Sequence, residues 1–226
     1  MKTTNLRIFC TLTPQRFWEV ARLTTRQNVV KQNISILILI LAFLNVIVTA
    51  PILFSLTVSA EEISHHILIS KSKRQLSVIS GTGAIIKTYS IASGRGGPGD
   101  KYRLGDQKTP IGVYKVVGFK SNSDFFYFIR LNYPNENDAR RGFRDRLINR
   151  IQYDAILEAL DNDLTPPQDT RLGGAIGIHG IGEESESKIS MHNSLDWTQG
   201  CIALRNHEVE DLLAFPSVGI HVVIKD

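Results

Sequence analysis

The run Thr198-Gln199-Gly200-Cys201-Ile202-Ala203-Leu204-Arg205-Asn206 sets a cysteine between a glycine-containing turn and a stretch that Asn206 can open as a helix. A cysteine attacks as its thiolate, and a neighbouring histidine or positive dipole helps to form one near neutral pH. Gly200, with no side chain, lets a substrate carbonyl approach the sulfur and lets backbone N–H groups face a developing oxyanion. Among the six histidines, His179 differs from the rest because it ends a short apolar strand, Ile176 to His179, and is followed by Gly180. That arrangement projects an imidazole from a strand end into a loop-lined site, which suits a general base. His192 is nearer to Cys201 in sequence and remains a rival base. His65, His66, His207 and His221 have ordinary accounts at the start of the folded region, at a helix start and within a strand. The competing reading of Cys201 itself is a small buried hydrophobe. A metal site from His179, His192, Cys201 and His207 is disfavoured, because successive separations of 13, 9 and 6 residues match none of the tight paired spacings of zinc sites.

The elements around these residues read as mainly β. His66 to Lys71 and Gln75 to Ser80 are short runs rich in branched residues, separated by Ser72-Lys73-Arg74, and form a hairpin. Gly81-Thr82-Gly83 turns the chain into Ala84 to Ala92, a strand expected to pack on both sides. Ser93 to Asp100 is a glycine-rich loop. Val113 to Phe119 and Phe125 to Leu131 are further strands, the aromatics of the second being expected in the core. Arg144 to Asp161 changes to a period of three and four and marks an amphipathic helix, ended by Thr165-Pro166-Pro167. Asn206 is the expected N-cap of a helix through Phe215, with Glu208, Glu210 and Asp211 near its positive end. A last strand covers Gly219 to Lys225. Without a repeat, an internal linker or a regular βαβ alternation, residues 61–226 read as one α+β domain, mainly β with a few helices.

Charge is distributed unevenly. Six of the 26 Lys/Arg and one of the 22 Asp/Glu precede residue 61, so the remainder carries 20 basic and 21 acidic residues and is near neutral. The basic pI belongs to the N-terminus, and a nucleic-acid partner loses its support. No charged residue lies between Lys31 and Glu61, and the run 34–60 is dominated by Ile, Leu, Val, Phe and Ala. This length suffices for a membrane segment, and the flanking positive charge places residues 1–33 in the cytoplasm and 61 onward outside. An uncleaved transmembrane anchor is favoured, with cleavage after Val58-Ser59-Ala60 as the alternative. Cys10 and Cys201 then lie on opposite sides of the membrane, which leaves Cys201 a lone exported thiol rather than half of a disulfide.

Ile178-His179-Gly180, a charged spacer, then Asp196-Trp197-Thr198-Gln199-Gly200-Cys201-Ile202-Ala203-Leu204 resembles the active-site signature of the L,D-transpeptidase catalytic domain family, also called YkuD-like or ErfK-like. Gly105-Asp106 with Lys108-Thr109-Pro110-Ile111-Gly112-Val113-Tyr114 is similar to the family's G-D-x-x-T-P-x-G-x-Y element, and Leu131-Asn132-Tyr133-Pro134-Asn135 to its Tyr-Pro-Asn strand end. The resemblance implies a sandwich-like or barrel-like β fold and an exported, wall-building acyltransferase acting on peptidoglycan stem peptides, with no cofactor and no metal. It implies that Cys201 attacks the L-centre carbonyl of the third stem residue, usually diaminopimelate, and that terminal D-alanine is expelled. His179 takes the thiol proton and the carbonyl of Gly180 orients the imidazole. An amine resolves the acyl-enzyme in a transpeptidase, and water in a hydrolase of the same fold; a silent wall-binding module is a third reading. Gly200, Thr198, Trp197, Tyr133 and Arg205 are the expected oxyanion and substrate-binding residues. Many relatives carry Ser-His-Gly-Cys, or an Arg two residues after the Cys, where this chain has Thr198-Gln199-Gly200 and Ala203; Arg205 is therefore the expected partner for a substrate carboxylate. The spacer, with Glu183, Glu184, Glu186 and Lys188, is expected as a flap or as a solvated loop.

Overall fold

The computed structural model describes residues 65–226; the segments 1–33 and 34–60, read above as a cytoplasmic leader and a membrane segment, lie outside the described residues. Among the described residues no helix is long and apolar enough to cross a membrane.

Eight strands, β1 (His66–Ser70), β2 (Gln75–Ile79), β3 (Ile85–Ser90), β4 (Gly112–Ser123), β5 (Phe126–Leu131), β6 (Gly177–His179), β7 (Ile202–Ala203) and β8 (His221–Lys225), hydrogen-bond in the order β3-β2-β1-β8-β4-β5-β6-β7. Most neighbours are antiparallel; β1–β8 and β6–β7 are parallel. The twelve-residue β4 serves two partners: Gly112 to Lys115 pairs with β8, and beyond a register shift at Val116/Gly118 the rest pairs with β5. The two ends of the order also meet, because Ala92, just past β3, exchanges backbone hydrogen bonds with Ala203 of β7 at 3.0 and 2.8 Å. The sheet thus closes on itself, in keeping with the barrel-like expectation.

Alternate side chains of each strand point inward, and the buried ones form one cluster that includes Ile67, Ile69, Leu76, Val78, Tyr114, Val116, Ile129, Leu131, Ile178, Ile202, Val222 and Ile224. Burying each such side chain contributes roughly 1.5–3 kcal/mol. The strand β3 is a correction: Ile85 and Ile86 are 66% and 43% exposed, so it is covered on neither face along most of its length. It pairs only with β2 and lies at the edge of the strand order.

Four helices complete the domain: α1 (Glu136–Arg144), α2 (Arg150–Asp161), α3 (Glu186–Ser194) and α4 (Asn206–Leu212). The single helix expected from Arg144 is in fact the second of a pair. Asn135 and Asn149 each close a capping box, on Asp138 and Gln152, which satisfies N–H groups a helix start would otherwise leave unpaired. The pair buries Ala139, Ile148 and Ile156 against Leu172. Gly142 allows this close approach, since a β-carbon there would stand 2.7 Å from Leu172 Cδ2 and push the leucine aside. At α4 the N-cap position falls to Arg205, whose N–H is taken by Glu208 at 2.9 Å. Asn206, expected as the cap, instead latches the preceding loop by donating to Gly182 O at 2.6 Å and accepting Gly182 N–H at 3.1 Å.

Candidate active site

His179 and Cys201 arrive from adjacent parallel strands. Ile178 is opposite Ile202 and His179 opposite Ala203, so the alternation of β7 puts Cys201, two residues before Ala203, on the face that carries His179. Both line one cavity of about 570 Å³, together with Arg95, Lys101, Phe125 and Trp197.

The turn that presents Cys201 is held from both sides. Thr198 Oγ1 donates to Cys201 O at 2.7 Å and accepts the Gly200 N–H at 3.1 Å, closing the turn on itself. Ser93 and Arg95 bond the Thr198 backbone at 3.1 and 3.0 Å, and Asp196 Oδ1 accepts the Ser93 N–H at 2.7 Å. From the G-D-x-x-T-P element, Thr109 accepts the Gly94 N–H at 2.8 Å and reaches Cys201 O at 3.5 Å. Gly200 has φ +130°, and a β-carbon would stand 2.8 Å from Lys108 O; only glycine fits both demands.

His179 is 3% exposed. Its Nδ1 lies 2.6 Å from the carbonyl of Gly180, and because a carbonyl only accepts, Nδ1 carries the proton and Nε2 the lone pair. The ring is walled by Phe125 at 4.5 Å, by Phe128 stacked at 6.0 Å, and edge-on by Trp197 at 6.2 Å. Burial in this apolar box lowers its pKa to about 4, with the Gly180 carbonyl opposing and Lys188 assisting. The imidazole is neutral at pH 7. Burial likewise pushes the Cys201 thiol up to about 11, against smaller opposing effects of a Gly177 backbone hydrogen bond and of Lys101 and Arg130. The thiol donates to Ala175 O at 3.1 Å. Both shifts favour a neutral thiol beside a neutral imidazole near neutral pH.

Trp197 and Thr198 stand in the cavity wall, with Gly200 beside it in the turn and Gly180 behind the imidazole. Tyr133 and Arg205 are elsewhere. Tyr133 is fully buried and its hydroxyl donates to Leu172 O at 3.0 Å; it steadies the start of the Leu172 to Ile176 segment, whose Ala175 carbonyl accepts the hydrogen bond from the Cys201 thiol. Arg205 is committed to Glu184 through Nε and Nη2 at 3.0 and 3.2 Å and does not line the cavity. The same Glu184 accepts the Asn206 N–H at 3.0 Å, so the charged spacer is tied to the start of α4, and its middle forms α3 with Ser185 as N-cap. His192, the rival base, is buried behind the cavity and accepts from Trp197 Nε1 at 3.4 Å. Among the described residues no group of three or more His, Cys, Asp or Glu side chains is gathered for a metal ion. Residues that sequence reasoning missed are Phe125, read as core but exposed over the imidazole, and the cations Arg95 and Lys101. Their signal was weak, since both cations sit in or beside a glycine-rich stretch with no periodicity.

The closed β domain thus presents a cysteine and a tautomer-fixed histidine to one cavity. The sequence matches the family described as YkuD, L,D-transpeptidase catalytic domain, over residues 64–224, and the chain belongs to that family. Among solved structures it is similar to Bd1075 of Bdellovibrio bacteriovorus, at 22% identity and TM-score 0.47, covering 74% of this chain and 50% of that one. It is also similar to the helical cell shape determining protein Pgp2 of Campylobacter jejuni, at 22% identity and TM-score 0.46, covering 74% and 49%. L,D-transpeptidase 3 of Mycobacterium tuberculosis, in complex with a faropenem-derived adduct, shares 12% identity and TM-score 0.42, covering 73% and 61%. The matched region thus spans about half to three fifths of these chains. No curated protein matches the sequence.

Proposed function

We propose that this chain is a peptidoglycan L,D-transpeptidase working through Cys201. The observation that carries the reading is the pairing, in one cavity, of the Cys201 thiol with a neutral His179 whose Nδ1 is committed to Gly180. In the proposed reaction the sulfur attacks the L-centre carbonyl of the third stem residue while His179 Nε2 takes the thiol proton. The backbone N–H of Cys201, just after the Gly200 turn, donates to the oxyanion. The intermediate collapses, the C–N bond to D-alanine breaks, and the proton on Nε2 passes to the departing amine, leaving a thioester on Cys201. An acceptor amine then attacks the thioester, gives its proton to His179 and restores the thiol, forming a cross-link or an attachment. A membrane segment over residues 34–60, as the sequence leads one to expect, would put this domain outside the cytoplasm, on the side where peptidoglycan lies.

A stem-trimming hydrolase differs only in using water at the second step. Incubating the purified full-length chain in mild detergent with a disaccharide-tetrapeptide, and reading the products by mass spectrometry, separates the two. Cross-linked dimers are the expected product. Tripeptide with no dimer would assign the chain to the hydrolases instead.

A further inference from the structure

Beside the catalytic cavity lies a second lobe of about 300 Å³, lined by Arg103, Leu104, Gly105, Asp106 and Arg171. The two lobes share Leu104 and Gly105, so they adjoin. The second is built from two loop segments stitched together by a hydrogen bond from Leu104 N to Arg171 O at 2.8 Å, which brings Arg103 and Arg171, both exposed, to the same lobe.

The charge of this lobe is not balanced from within. Asp106 is the one acid lining either lobe, and its carboxylate already accepts from Lys101 Nζ, Tyr102 N, Arg103 N and Lys108 N at 2.7, 2.6, 2.9 and 3.1 Å. These contacts outweigh its burial and hold it below the usual carboxylate range. Among the described residues no acid pairs with Arg103 or Arg171, whereas Arg140, Arg141, Arg144, Arg150 and Arg205 each have at least one; Arg74, Arg95, Arg130 and Arg146 also lack an acid, but none of them lines this lobe. Since the part of the chain beyond residue 60 carries 20 basic against 21 acidic residues, this is a local concentration of cation rather than a reflection of overall charge. Two guanidinium groups without a partner, at the edge of a cavity that ends on a nucleophile, suit an anionic group on the substrate.

We propose that Arg103 and Arg171 form a subsite for a carboxylate of the donor that does not react, the side-chain carboxylate of its diaminopimelate residue, so that the enzyme selects stems in which this group is free over stems in which it is amidated. The proposal rests on the reading of Cys201 as a stem-peptide transpeptidase. A carboxylate accepts the planar fork of an arginine in two hydrogen bonds and carries the opposite charge, whereas a primary amide offers one acceptor oxygen and no charge.

The test is binding without turnover. Full-length Cys201→Ala protein is titrated calorimetrically with two disaccharide-tetrapeptides that differ only in that carboxylate, one free and one amidated. The free acid is expected to bind about tenfold tighter, and the ratio to shrink as salt is raised. Adding Arg103→Gln and Arg171→Gln brings the ratio to near one by weakening the free acid far more than the amidated peptide, a result that general damage to the fold would not give. Equal binding of both peptides by Cys201→Ala, or a ratio that survives the two arginine substitutions, overturns the proposal. If the binding ratio is found but wild-type protein turns over neither peptide, the subsite stands and the transpeptidase reading falls.

Discussion

His179 Nδ1 and the carbonyl of Gly180 are 2.6 Å apart, a bond between neighbours in sequence that fixes the imidazole tautomer without any acidic side chain. It has a kinetic consequence, because a ring held neutral down to about pH 4 cannot stabilise a resting thiolate. With the Cys201 thiol pushed up to about 11, the rate of alkylation by iodoacetamide in free enzyme is expected to climb about tenfold per pH unit between pH 6 and 9, following the thiolate fraction. A rate independent of pH from 5 to 8 would instead reveal a preformed thiolate-imidazolium pair.

His192 leads to a prediction about stability. Burial, assisted by Arg74 and Arg205, lowers its pKa from the usual 6.5 to about 4. A histidine depressed in the folded state contributes stability above its unfolded pKa and loses it as pH falls from 6.5 through about 4. The ring is covered, but it sits beneath a surface hollow beside Lys73 and Arg74, so the contribution is held to ~1–2 kcal/mol. Asp138, raised to about 6 by burial, works in the opposite sense and regains stability over the same interval. The measurement is therefore a difference: between pH 7 and pH 4, wild-type protein should lose more melting temperature than His192→Gln. Parallel curves would remove His192 from the acid response.

Thr198 Oγ1 bonds both Cys201 O and Gly200 N. Thr198→Val keeps the shape and strands both partners, at a cost of ~1–3 kcal/mol. The nucleophile's turn should loosen, with kcat reduced more than tenfold, and Thr198→Ser should recover most of it. Equal activity in the valine and serine variants would show that the hydroxyl does not position the turn.

Gly200→Ala meets both a φ of +130° and a 2.8 Å approach to Lys108 O. Strain of this kind costs ~1–3 kcal/mol before the backbone clash is added. A lowered melting temperature with near-complete loss of transpeptidation is the expected result of calorimetry and a product assay run on the same sample. Retained activity would mean that the turn adjusts without disturbing Cys201.

That Cys201 and His179 would share a cavity was legible in the sequence because the cues are local: a glycine before the cysteine, and a histidine at the end of an apolar strand. The β1–β2 hairpin was legible for the same reason. Positions decided by distant partners were not. Tyr133 carries a hydroxyl suited to a substrate site, but Leu172 O, 39 residues away, draws it into the core. Arg205 looks free until Glu184 is brought against it from the spacer. The exposure of β3 depends on its place at the edge of the strand order, which periodicity does not encode, and the pairing of α1 with α2 was hidden because α1 buries little more than Asp138, Ala139 and Gly142.

The most direct measurement is intact-mass analysis of the full-length chain quenched soon after mixing with a tetrapeptide donor and no acceptor, followed by peptide mapping. The expected result is an adduct equal in mass to the donor acyl group without its terminal D-alanine, located on Cys201 and absent in Cys201→Ala. Release of D-alanine at an undiminished rate by Cys201→Ala, or an adduct on any other residue, would contradict the assignment of this sulfur as the nucleophile.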